Sequence, residues 1–134
     1  LDRSKMESRE GLLAAYDSDV FLSSANAMTS DGILVNIDGN SNRVSCIAQG
    51  PKKVIFIVGM NKVCDDLDSA MKRARNVAAP INAQRFEVKT PCKETGKCFD
   101  CKSPDTICCQ FLITRYSRHT GRIHVILVND NLGF

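Results

Sequence analysis

The sequence predicts an α/β domain: a mainly parallel sheet flanked by helices, closed by a C-terminal antiparallel hairpin and carrying a Cys-rich loop. Three observations predict it. Lys53–Gly59 is apolar without alternation, as a strand buried on both faces of a parallel sheet reads. Residues 65–79 carry an apolar stripe at helical spacing. Strand and helix patterns then alternate along the chain, which is the grammar of a mainly parallel sheet.

The elements follow in order. Residues 4–16 read as a helix with Leu12, Leu13 and Tyr16 inward and Glu7, Arg9 and Glu10 outward; Gly11 weakens it by about 1 kcal/mol relative to Ala. Val20-Phe21-Leu22 reads as a short buried strand. Ser30-Asp31-Gly32 is a turn between extended segments at 27–29 and 33–36. The polar loop 38–42 leads into a helix over 43–49 with Val44, Ile47 and Ala48 on one face; Gly50 ends it at the favoured C′ position and Pro51 prevents a restart. The secure helix at 65–79 has Leu67, Ala70, Met71, Ala74, Val77 and Ala78 as its stripe. Asp65 and Asp66 lie at its positive end and Lys72, Arg73 and Arg75 further along; Pro80 stops it. After the Cys-rich segment, strands at 110–115 and 123–128 flank a turn containing Gly121 and form the expected hairpin.

Length and composition narrow the function classes. The 134 residues make about one domain, with 43% apolar and 25% charged residues, which excludes a disordered or low-complexity chain. The net charge of +3 and 6% aromatic content argue against a nucleic-acid partner. No apolar run reaches the roughly 18 residues of a membrane span. The chain opens at Leu1, with no visible export signal. The expectation is a cytoplasmic protein and a single domain over 1–134 that lacks its N-terminal part.

Two clusters carry chemistry. Asn36, Asp38, Gly39, Asn42 and Arg43 lie where a strand leads into a helix, and Asn61 and Lys62 follow the central strand at the same sheet edge. Ligands of open α/β sheets sit at such edges. Free N–H groups at the helix start favour a phosphate or carboxylate, and Arg43 adds a bidentate clamp. The same residues also make ordinary turns and caps, with Asn42 as a candidate cap. The second cluster is Cys92-x5-Cys98-x2-Cys101-x6-Cys108-Cys109. Cys92, Cys98, Cys101 and Cys108 (or Cys109) form a candidate four-thiolate shell for zinc or an iron–sulfur cluster, with Lys93, Lys97 and Lys102 offsetting thiolate charge. Free thiols, an oxidised Cys98–Cys101 pair or a Cys-rich flap ordered only by packing are the alternatives. Cys46 and Cys64 read as small core residues. His124 reads as a sheet residue and His119 as solvated.

Several stretches resemble the lactate-utilisation (LUD) domain family. They are Ser23 through Val44, Gly50-Pro51-Lys52, Gly59-Met60-Asn61-Lys62, Arg73 through Ala83, Thr90 through Cys108, Arg122 through Val128, and Leu132-Gly133-Phe134. The resemblance covers nearly the whole chain. It implies a NagB/RpiA/CoA-transferase-like fold and a component of an iron–sulfur-linked system oxidising L-lactate to pyruvate. The implied partners are a small carboxylate or phosphate ligand, iron–sulfur proteins and a second copy in a homodimer. Asn26 occupies the position of the catalytic Asp of the related sugar-phosphate isomerases, and Asn40 that of their Thr. An amide is no general base at neutral pH, so isomerase chemistry is disfavoured. Asn26 joins the candidate ligand set. The alternative is a non-catalytic ligand-binding or regulatory module on a transferase-like fold.

Overall fold

The computed structural model describes residues 9–134. Of the helix expected over 4–16, residues 4–8 lie outside the described residues. The rest forms α1 (Arg9–Tyr16), with Gly11 and Ala15 buried and Leu13 and Tyr16 outward. The small residues Gly11 and Ala15 are therefore the most buried, with Leu12 part-buried and the expected Leu13 and Tyr16 turned outward.

Three strands make a parallel sheet. β1 (Val20–Ser23) and β7 (Ile123–Val128) flank the central β4 (Lys53–Gly59). Four make a mixed sheet in the order β5 (Val63–Cys64), β2 (Ala27–Thr29), β3 (Leu34–Asp38), β6 (Gln110–Thr114). β2 and β3 are antiparallel around the Ser30–Gly32 turn, as expected, and β6 pairs antiparallel with β3. The closing hairpin does not form: β6 joins the mixed sheet and β7 the parallel one. The segment 115–122 is long enough to carry the chain between sheets, and β4 offers β7 a six-residue partner from Val54 to Gly59.

The layers are sheet on sheet on helix. Val54, Phe56 and Val58 of β4, with Phe21, Ile123 and Val125, pack on Met28, Leu34 and Leu112 of the mixed sheet and on Ile47. Ala27, Val35 and Ile37, on the mixed sheet's other face, meet Ala70 and Ala74 of the long helical stretch. β4 thus alternates instead of being buried twice. Its other face leaves Ile57 40% exposed, beside Leu22 at 64% and Ile126 at 51%. β1 is correspondingly an exposed edge strand, not a buried one.

α2 (Asn42–Ala48) buries Val44, Cys46 and Ile47, while Ala48 faces out. Arg122 closes its C-terminus, donating to the carbonyls of Cys46, Ile47 and Pro51 at 3.1, 2.8 and 3.0 Å. Gly50 is needed there for space: a Cβ would lie 2.9 Å from the Cys46 Cα.

α3 (Leu67–Arg73) is capped by Asp66, which accepts from the Ser69 N–H at 2.7 Å. It runs on through a π turn (Ala74–Ala78) into α4 (Ala79–Ala83). Pro80 therefore does not stop the helix. The Ala79 N–H reaches back five residues to the Ala74 carbonyl, and Pro80 then takes an early position in α4 where its missing N–H is tolerated. The extra residue also turns Val77 outward, at 40% exposure, and brings Ala78, Ala79 and Ala83 inward.

Candidate functional site

Of the polar residues expected to hold a ligand, Asn26, Asp38 and Arg43 come together by binding one another, whereas Asn42, Gly39 and Asn61 do not join them. Asp38 is 7% exposed. Its carboxylate accepts from the Arg43 and Val44 N–H groups at 2.9 and 2.8 Å and pairs with the Arg43 guanidinium at 2.8 Å. Asp38, five residues upstream, thus occupies the anion position at the start of α2. Arg43 also donates to the Ile37 carbonyl at 2.7 Å and to Asn26 Oδ1 at 3.2 Å. Asn26 Oδ1 accepts from the Ile37 N–H as well, at 2.8 Å. Asn42 is exposed, and Gly39 lies against the Ile107 backbone. Asn61 ties down the C-terminal tail, accepting from the Leu132 N–H and donating to the Gly133 carbonyl, both at 3.2 Å.

Lys62 and Asn36 differ from the others. Lys62 is 5% exposed, and its amine donates to the Ser24 hydroxyl at 3.1 Å. Asn36 donates to the Ser24 carbonyl at 3.0 Å, while its Oδ1 is buried without a hydrogen-bond partner. Arg73 lies near, donating to the Asn61 and Asn26 carbonyls at 2.9 and 2.6 Å. Ser24 and Arg73 escaped the sequence reading, because a serine after a strand and an arginine late in a helix look like surface chemistry.

Burial pushes the Lys62 amine below the ordinary lysine value, helped by the Arg73 and Arg43 charges. The sign of the pH effect follows. Between that lowered value and 10.5 the unfolded chain binds the proton more readily, so Lys62 makes stability rise with pH across this window. The stability of Lys62→Met relative to the wild type is therefore expected to be greatest near neutral pH and to shrink towards pH 10.5. Denaturant midpoints of both proteins at several pH values check this; a constant difference would contradict it.

The cysteines converge on the opposite side of the mixed sheet. Cys92 sits on α5 (Pro91–Thr95), which ends at Gly96 with φ 72°. Cys92, Cys98, Cys101, Cys108 and Cys109 all line one cavity of about 390 Å³, with Phe99, Phe111 and Ala79 as apolar walls. The Cys98 sulfur accepts from the Asp100 N–H and from Arg75 Nη2, each at 3.4 Å. Arg75 also pairs with Asp100 at 2.7 Å, and Asn76 Oδ1 accepts from the Cys98 N–H at 3.2 Å. Cys101 and Cys109 each approach Thr106 at 3.7 Å. Burial, and after it the neighbouring thiols of Cys92, Cys98, Cys101 and Cys109, push the Cys108 thiol up to about 11. Cys46 is buried in the core as expected, and Cys64 is half-buried against the helix stripe. Of the three lysines expected beside the thiols, Lys102 lines the cavity, whereas Lys93 donates to the Phe86 carbonyl and Lys97 is exposed.

The family model of the LUD domain matches residues 2–128. The chain belongs to the LUD domain family. No curated protein and no solved structure matches it. Among the described residues of this LUD domain, no three His, Cys, Asp or Glu side chains already form a group able to hold an ion. Five cysteines nevertheless line one cavity, and two N–H donors aim at the Cys98 sulfur, a set of the donor type that soft metals favour. No helix among the described residues is long and apolar enough to cross a membrane.

Proposed function

We propose that this LUD domain is a component of an iron–sulfur-linked system oxidising L-lactate to pyruvate, with Cys92, Cys98, Cys101 and Cys108 holding an iron–sulfur cluster or zinc. The observation that carries the reading is the common cavity onto which all the clustered cysteines face. A thiolate-held iron–sulfur centre takes up and passes on single electrons, whereas zinc would only staple the loop. Lactate gives up two electrons and two protons in becoming pyruvate, and iron–sulfur partner proteins are the acceptor by chemical class. Cys92 on α5 and Cys108 beside β6 would anchor the centre to the fold, while Cys98 and Cys101 close over it from the loop.

The small anionic ligand of this reading binds at the edge where β1 and β4 end. Lys62, Ser24 and Asn36 have hydrogen-bonding capacity left there, whereas Asp38 and Arg43 satisfy each other. One observation favours a second reading, a non-catalytic ligand-binding module. The Asn26 side chain is held by Ile37 and Arg43, and the nearby Asp38 carboxylate is itself taken up by Arg43 and Val44.

Anaerobic purification followed by metal analysis tests the centre. The expected result is about one zinc or about four irons per chain. Less than about a tenth of an equivalent of either would overturn it, given the affinity of closed thiolate sites. Titration of the full chain with lactate and pyruvate tests the edge site; saturable binding that Lys62→Met abolishes supports it, and binding unchanged in that variant contradicts it.

A further inference from the structure

The π turn projects two adjacent residues onto the cysteine loop. Asn76 takes the Cys98 N–H, and Arg75 reaches both the Cys98 sulfur and the Asp100 carboxylate. Neighbours on a helix normally point in different directions, yet here both end on one residue. π turns are costly in sequence terms and recur at functional sites. This one lies on the helical stretch whose other face packs on the mixed sheet, so the loop is referenced to a rigid body. A guanidinium suits the task because its planar fork makes two contacts at once, which an ammonium cannot reproduce.

We propose that Arg75 is a positioning residue for the cysteine-held metal centre, hydrogen-bonding the Cys98 sulfur and fixing the Cys98–Cys101 turn through Asp100. The proposal rests on the reading of the cysteines as metal ligands. Outer-shell donors of this kind orient a ligand and draw electron density from it. The Asp100 N–H adds a second donor to the same sulfur, so Cys98 is the most strongly supported thiol of the set. Asp100 itself has φ 52°, a left-handed conformation uncommon outside glycine. Its ion pair with Arg75 helps to hold that shape. Among the described residues, no other arginine lines this cavity, and the exposed Lys97 makes no comparable contact.

The test uses the full chain, reduced and anaerobic, with Co²⁺ as the probe, because thiolate-to-cobalt absorption reports the sulfur directly. The wild type is expected to bind Co²⁺ with intense near-ultraviolet bands. Arg75→Gln is expected to weaken binding about tenfold or more. It is also expected to move the bands to longer wavelength, since a sulfur relieved of its hydrogen bond gives up charge more easily. Asp100→Asn leaves the Arg75–sulfur contact and removes the anchor, so weaker binding with unmoved bands is expected. A merely structural role for Arg75 would lower affinity without moving the bands. Unmoved bands in Arg75→Gln therefore overturn the proposal. If that variant does not fold, Arg75→Lys carries the same comparison: bands displaced from the wild-type position support the proposal, and bands in place overturn it. A wild type that takes up no Co²⁺ overturns the metal centre and, with it, the role of Arg75. Uptake by wild type and variant with the same affinity and spectrum overturns the role of Arg75 alone.

Discussion

Replacing Asp38 by Ala is expected to destabilise the domain by about 3–5 kcal/mol, the range for removing one partner of a buried ion pair. Three losses coincide. The Arg43 and Val44 N–H groups lose their acceptor at the start of α2. The Arg43 guanidinium, with its side chain 31% exposed, loses its anion. A buried void opens where the carboxylate packed. Native domains rest on roughly 5–15 kcal/mol, so this change removes a large fraction of the total. Asp38→Asn keeps the volume and a carbonyl acceptor, and is expected to cost about half as much or less. Urea unfolding of the two variants checks the order. A loss of under about 1 kcal/mol in Asp38→Ala would show that the pair contributes nothing to the fold and is free to meet a ligand.

Gly59→Ala is expected to cost about 3 kcal/mol, at the upper end of overpacking effects. A Cβ there would lie 2.6 Å from the Leu132 nitrogen, 2.8 Å from the Asp130 oxygen and 2.5 Å from Asn61 Oδ1. Two of these are backbone atoms, which cannot rotate away. The tail must lift, breaking the Met60–Asp130 bond at 3.1 Å and the contacts of Asn61 with Leu132 and Gly133. Because the Gly133 backbone also lies over the Lys62 amine, the variant should admit water to that amine and bring its pKa back towards the ordinary lysine value. Limited proteolysis reads the first effect, as rapid cleavage after the parallel sheet's last strand. A tail as resistant as in the wild type would refute the packing argument.

Much of this architecture was legible in the sequence, and the failures have physical causes. The apolar run at 53–59, the Ser30–Gly32 turn and the cysteine spacing each correspond to a feature of the structure. The division into two sheets was not legible. Three-residue strands such as β2, buried at every position, do not say which neighbour they pair with. The eight residues between β6 and β7 read as a loose hairpin turn but serve as a crossing between layers. Pro80 was misread because a π turn has no composition signal, only the oddity of an apolar stripe that continues past a proline. Arg75 was hidden because it lies off the apolar stripe, and only the three-dimensional course of the cysteine loop brings Cys98 within its reach. In the edge cluster, polar spacing does not tell a ligand contact from an internal one, since side chains that can bind a ligand, such as Asp38 and Arg43, can equally satisfy one another.

The pairing of β4 sets a timetable for synthesis. Its first edge is met by Val20–Ser23, already made when β4 appears, but its second edge waits for Ile123–Val128. A chain leaving the ribosome therefore carries its central strand half-open until residues 123–128 have been added, and parallel pairing over such separations is slow. During that interval an apolar strand edge is available to other nascent chains. A chain truncated before Ile123 should accordingly yield aggregate and a demand for chaperones, not a smaller version of the domain.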